Sequence, residues 1–520
     1  MLAGHCDSEN GGWRCLPAIA DQPLFASHRS SVISGAPAIF CSQRRKIAVP
    51  RQLAFAIPSQ LTAAHMALTI SRILHAGYVF ECGDSLIAFD PIFENPFSRN
   101  CHAFPDVRFD RDQIAKLKFD AVFISHFHDD HCSLESLDLL DRQTPIYLYC
   151  LFEELFGMIR ELGFNNVHSL QTDATVQLGP FDIIPREALD SDVDSMFQVR
   201  AAGLNILNVV DSWIAPVTLA ELAREPWDMV LWPFQTMREI EVLSPSRADT
   251  APSPLPAEWI DQLRILNPRF IVPSSCQFVQ EPWSWYNRAF FPISYRQFGE
   301  EIGAALPAAQ VIRLNPSVSV LLDENSLQPA SPLSWVVPVG EQDVDYDYDP
   351  AIKPPHTAEI ARRFAALTST QNDRALDYCR SGLLEKYRGM ELREQSEDSY
   401  FEKARHWRLA VYDHTGAVTH FDYRVQGDSI SVLADGESEV PLSWTTEIPV
   451  SKLYAALELG ESLTSMYMRI NDTVFDAAIE EELGSAELVD DPLIRCLFND
   501  NFGAYQAAQL RRLKAAGRAG

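Results

Sequence analysis

The feature that most constrains this chain is Ile124-Ser-His126-Phe-His128-Asp-Asp130-His131. It follows Phe119-Asp-Ala-Val-Phe-Ile124, which reads as a buried strand, and it precedes Leu134–Leu140, which reads as a helix. A tight strand-to-helix turn would throw three imidazoles and one carboxylate into a single pocket. His126 and His128, two apart, can clasp one ion, and Asp130 with His131 is placed for a second. Neutral imidazole together with carboxylate suits zinc, iron or manganese. A polar helix cap is the plainer account of four such residues, but chance rarely assembles this spacing.

The rest of the chain narrows the classes. Its 520 residues are enough for two or three domains, each with its own core. A net charge of −28 argues against a broad phosphate-binding surface, so nucleic acid is not an expected partner. The late basic cluster Arg511, Arg512, Lys514 and Arg518 reads as a solvated helix end, with contact to anionic lipid as the other reading. Ten cysteines are scattered without a CxxC pair, which implies reduced thiols and a cytoplasmic setting. No apolar run is long enough to span a membrane, so any membrane contact would be peripheral, at the inner membrane surface.

Along the chain, residues 1–65 have little periodicity and read as a disordered leader or a mis-assigned start that carries no chemistry. From 66 to 323 strand and helix signals alternate, as in a layered α/β domain. It opens with Ile73–Glu81 and Ser85–Asp90, read as a hairpin across Cys82-Gly83-Asp84. Residues 324–356 are acidic and Pro-rich and read as a linker. Residues 357–520 follow as an α+β domain. It has a helical stretch, strands near Arg408–Asp413, Ala417–Val425, Ile430–Leu433 and Trp444–Ile448, and the helix Ser451–Leu459.

HxHxDH after a strand, preceded by a hairpin ending in Ala88-Phe-Asp90-Pro, resembles the metallo-β-lactamase superfamily over about residues 68–320. The resemblance implies an αββα sandwich with two divalent metal ions. It also implies a supporting role for Asp90 and a metal-bridging role for Asp211, at the end of Gly203-Leu-Asn-Ile-Leu-Asn-Val-Val-Asp211. Zinc hydrolases of the family add one histidine before the bridging Asp and another near the domain's end. Between His168 and His356 this chain has none. Glu187 stands where the first should be, with Asp192 and Asp194 as rivals. At the second position the chain reads Val272-Pro-Ser-Ser-Cys-Gln-Phe278, so Cys276 is a rival ligand or a small buried residue.

With Glu187, Asp130 and Asp211 as carboxylates beside only three histidines, the pocket is expected to be oxygen-rich and to favour iron over zinc or manganese. Two branches of the superfamily are similar in this respect: di-iron β-hydroxylases and CMP-N-acetylneuraminate hydroxylase. The latter's CxH…CxxH Rieske signature is absent here, so an electron donor would be external. The expected activity is therefore that of a non-haem iron hydroxylase or monooxygenase, probed against a metal-dependent hydrolase of an ester, amide or phosphodiester bond. Trp283, Trp285 and Arg288 are candidates to line an apolar channel and meet a head group, with core packing as the alternative. The block Trp444–Glu461 is similar to part of sterol-carrier-like domains. These clues suggest an acylated substrate, of which a bacterial ornithine lipid is the concrete candidate.

Overall fold

The computed structural model describes residues 67–519 except 235–236, 246–250, 252–253, 391–402, 435–440 and 475–491, together with a two-residue ladder between Cys6–Asp7 and Arg14–Cys15. The remainder of the 1–65 leader lies outside the described residues.

Two mixed sheets form the metal domain. In the first, of eight strands, Leu68–Arg72, Tyr78–Cys82 and Ser85–Phe89 run antiparallel, and Ala121–Ile124 and Ile146–Leu148 then add in parallel. The second, of seven strands, centres on Ser195–Ala201, Leu204–Asn208, Met229–Pro233 and Phe270–Ser274. Side chains from both sheets interdigitate in one buried cluster. Phe89 lies 5.3 Å from Phe123 within its own sheet and 5.0 Å from Phe197 of the other. The strands buried on both faces are near-continuous apolar runs, because helices such as Glu153–Glu161 and Ala257–Leu266 cover the outer faces. This is the expected αββα architecture.

Ile73–Glu81 is not a continuous strand. The chain breaks between Arg72 and Tyr78 in a turn closed by Ile73 N donating to Gly77 O (2.8 Å) and Gly77 N donating to Leu74 O (2.7 Å). A Cβ on Gly77 would sit 2.8 Å from the Asp90 carbonyl oxygen, so only glycine lets these two loops approach. Within the turn His75 takes a left-handed conformation, φ 48°.

Residues 324–356 are not a free linker either. Leu327–Ala330 pairs with Ser319–Leu322, and Val336–Pro338 pairs with Val107–Phe109. Trp335 and Tyr346 are buried, and the Asp345 carboxylate accepts from the amides of Tyr295 and Arg296 at the start of the helix Tyr295–Ala305. The Tyr346 hydroxyl meets the backbone of Cys276 and Phe278. Composition suggested a linker because proline and acid dominate it; two aromatic anchors fix it instead.

The C-terminal part is α+β. Its sheet has five strands in the order Ser429–Val432, Val418–Gln426, Arg405–Tyr412, Leu442–Pro449, Arg469–Val474. One apolar cluster runs continuously from the outer layer of the metal domain into this part. At the seam Tyr467 packs against Trp283 (5.1 Å), Tyr286 (5.0 Å) and Phe364 (5.8 Å). Among the described residues no helix is long and apolar enough to cross a membrane.

Tyr346→Phe keeps the ring but removes the hydroxyl from the buried backbone of the Cys276 loop. It should cost about 1–3 kcal/mol of unfolding free energy in urea titrations. An unchanged midpoint would mean that the segment is only loosely held.

Candidate metal centre

The ligands stand at the ends of strands, where the backbone can turn without breaking the sheets. Ile124 ends its strand, and the next residues carry His126, His128, Asp130 and His131. Asp211 follows Leu204–Asn208 after Val210, whose φ of 65° redirects the chain.

The turn is organised by Asp90. Its Oδ1 accepts from the Ser125 amide (2.7 Å), and its Oδ2 accepts from the Ser125 hydroxyl (2.7 Å) and from His131 Nδ1 (3.0 Å). The Ser125 hydroxyl in turn lies 2.9 Å from His126 Nδ1. With both Nδ1 atoms satisfied as donors, the Nε2 lone pairs of His126 and His131 face the pocket.

The donors gather in two groups, each with its atoms within 4.8 Å of one another: His126, His128 and Asp194, and His75, Asp130, His131 and Asp211. In the first, His126 Nε2 is 2.8 Å from His128 Nδ1 and 3.7 Å from Asp194 Oδ1. In the second, His75 Nε2 is 2.9 Å from Asp130 Oδ2 and 3.2 Å from His131 Nε2. Asp211 touches both groups: Oδ2 is 2.9 Å from His131 Nε2, and Oδ1 is 3.8 Å from His126 Nε2.

The electrostatics fit a cation. Burial opposes charge on Asp211, yet His131 and His126 beside it hold its carboxyl down at about 2. Burial, reinforced by Asp211 and Asp190, pushes Asp194 well above the carboxylate range. His126 is driven well below its ordinary value, by burial first and by His131 next. Burial also works against His131, but Asp211 and Asp130 raise it well above its ordinary value. His75 Nε2 and His131 Nε2, two imidazole nitrogens at contact distance, need a proton or a metal to reconcile them. Three buried carboxylates among four imidazoles suit divalent ions better than they suit one another.

Seven expected residues thus fall in or beside the site: His126, His128, Asp130, His131, Asp194 and Asp211 in it, and Asp90 behind it. Glu187 does not. It ends the strand Phe181–Glu187, opposite Ser195 in the ladder, and is exposed, as is Asp192; the loop after it returns Asp194 to the pocket instead. Cys276 lies in neither donor group. It is buried at φ 45°, and burial, with Asp211 and Asp130 nearby, pushes its thiol well up, so it stays protonated beside the site.

Trp283 and Trp285 pack against Tyr467 in the seam, and Arg288 faces Asp347 and Asp349, so these three form packing and surface ion pairs in place of a substrate channel. The candidate ligand that sequence reasoning missed is His75. Its signal was the His-Ala-Gly that interrupts an apolar run.

Two donor groups, bridged by the Asp211 carboxylate, thus lie at the strand ends of an αββα sandwich, where the resemblance to the metallo-β-lactamase superfamily led a metal centre to be expected. No family model matches the chain. It is 26% identical over 162 residues to cytidine monophosphate-N-acetylneuraminic acid hydroxylase of Danio rerio, covering 28% of this chain and 26% of that protein. The same enzyme of Asterias rubens is 26% identical over 151 residues, covering 27% of this chain and 23% of the relative. The match therefore spans about a quarter of the length of these curated relatives.

Similar solved structures include CmlA, a di-iron β-hydroxylase from Streptomyces venezuelae (16% identity, 50% of this chain, 55% of that chain, TM-score 0.34). Others are the metallo hydrolase Igni18 from Ignicoccus hospitalis (15%, 49%, 99%, 0.34) and an isothiocyanate hydrolase from Delia radicum gut bacteria (14%, 49%, 99%, 0.36).

The two groups make a direct prediction. His75→Ala and Asp194→Ala should each lower bound metal from about two equivalents to about one, by elemental analysis of purified protein. Glu187→Ala should keep both. Loss of metal from Glu187→Ala, with Asp194→Ala unaffected, would make Glu187 the ligand in place of Asp194.

Proposed function

We propose that this chain is a non-haem di-iron hydroxylase. The observation that carries the reading is the composition of each donor group. His126 and His128 come with Asp194, His75 and His131 come with Asp130, and Asp211 lies between them. Two imidazoles and one carboxylate per ion is the donor set that suits ferrous iron with open positions for O₂. Iron bound there would supply O₂ activation for insertion of oxygen into a C–H bond. The chain's own residues contribute the rest. Asp90 orients the imidazoles, Asp211 fixes the spacing of the two positions, and the buried surroundings of His75 and Asp130 keep bulk water away. That both curated relatives are hydroxylases supports the same reaction class. Electrons would come from a separate donor, because the sequence holds no CxxC pair and no Rieske signature.

For the substrate we retain an acylated, amphiphilic molecule such as an ornithine lipid. Leu151 and Leu189 are exposed on loops that leave the same strand ends as the candidate ligands, and Val217 is exposed on the helix Pro216–Leu222 that follows Asp211. Tyr149 reaches Ser191 O, and the Leu189 amide donates to Trp213 O (2.7 Å), tying those loops together. An apolar rim of this kind favours an alkyl chain.

Metal-dependent hydrolysis is the second reading, and His75 favours it by bringing the imidazoles to four. In that case a metal would acidify water for attack on an ester or amide.

The two separate cleanly in one assay. The hydroxylase should load iron, require O₂ and a reductant, and give a product one oxygen heavier in lipid extracts from cells that carry the gene. Two product fragments formed equally well under nitrogen would overturn it in favour of the hydrolase.

A further inference from the structure

The C-terminal helix Ala504–Ala515 does more than close the second domain. It lies across the loop that carries the HxHxDH motif, although more than 370 residues separate the two in sequence. Its outer residues make surface pairs, Arg512 with Glu135 and Lys514 with Glu161, and just beyond the helix Arg518 meets the buried Asp138 carboxylate. The basic cluster expected as a free helix end is therefore engaged with the metal domain through these three, while Arg511 donates to Glu458 O.

The buried residues of the helix are different in kind. Gln506, 2% exposed, donates through Nε2 to Phe127 O (2.7 Å) and to Cys132 O (2.9 Å). A glutamine amide has two N–H donors, and both are used here. The two carbonyls bracket His128, Asp130 and His131, three ligands drawn from both donor groups. One turn along, Gln509 donates to Ser133 Oγ (2.9 Å) and accepts from the Leu134 amide (2.8 Å), anchoring the loop's exit. The loop's internal backbone bonds include His131 N and Cys132 N donating to His128 O. Phe502, just before the helix, packs tilted against Phe127 with ring centroids 4.8 Å apart.

We propose that Gln506 is a positioning residue of the metal centre, so that metal binding in the first domain depends on the C-terminal helix. The inference rests on the two-metal assignment and not on the reaction. A buried carbonyl is costly to leave unpaired, so without the amide the loop would relax to find other donors and carry its ligands with it. Removing a group bonded directly to a metal ligand costs about 10–100-fold in metal affinity; Gln506 acts one step further out, through the backbone on either side of the ligands, so the lower end of that range is expected.

The test uses the metal-stripped full chain titrated with cobalt(II), reading both affinity and the visible ligand-field spectrum. Gln506→Met keeps the side-chain length and removes both donors. It should weaken cobalt binding about tenfold and alter the spectrum. Gln506→Asn, too short to span both carbonyls, should give a smaller loss. Arg512→Ala, which breaks only an exposed pair on the same helix, should match the wild type. Wild-type affinity and spectrum in Gln506→Met would overturn the proposal, as would an equal loss in Arg512→Ala. If the Met variant does not fold, wild-type behaviour in the Asn variant overturns it instead.

Discussion

The Asp90 carboxylate is the constraint on which the rest of the centre depends. It is fully buried, sits at φ 40°, and accepts from one amide, one hydroxyl and one imidazole at once. A buried carboxylate with three donors is well satisfied, and each donor is thereby fixed. Through Ser125 it sets the entry to the metal turn; through His131 it sets a ligand's tautomer. Its own carbonyl sits against Gly77, so the turn that carries His75 is packed onto the same residue from behind. Two ligands distant in sequence, His75 and His131, are brought to 3.2 Å because both loops register on Asp90.

What was legible in the sequence follows from range. His126, His128, Asp130 and His131 belong to one strand-turn-helix unit, so spacing alone predicts that they converge. Asp211 and Asp90 were placed by the family resemblance, each matching an acid that follows an apolar strand. His75 was hidden because Ile73–Glu81 is apolar enough to pass for one strand, and only the backbone break at Gly77 frees the imidazole. Glu187 failed for the opposite reason: counting back from Asp211 finds a carboxylate, but ladder pairing with Ser195 ends its strand at the surface. Asp194, across the loop, has the reach. Which of three nearby acids turns inward depends on strand register, and no local pattern reports it.

The two parts of the chain work as one body. Tyr467 and its aromatic neighbours fill the seam, and the segment first read as a linker is held by Trp335 and Tyr346. Within the C-terminal part the buried pair Lys452–Glu461 (2.9 Å) sets the Lys452 ammonium over the Phe364 ring, which itself packs against Tyr467. Trp283 and Trp285, candidates for a substrate channel, and the basic residues Arg512, Lys514 and Arg518, expected as a solvated helix end, are means by which the second part grips the first. The same long-range contacts explain why neither was readable from composition.

Anomalous diffraction at the iron edge, from crystals of protein loaded with ferrous iron without oxygen, tests the dinuclear centre most directly. The account predicts two peaks, one within bonding reach of His126, His128 and Asp194 and the other of His75, Asp130 and His131, with Asp211 between them. A single peak, or a second one held by Glu187 with His75 turned away, would contradict it.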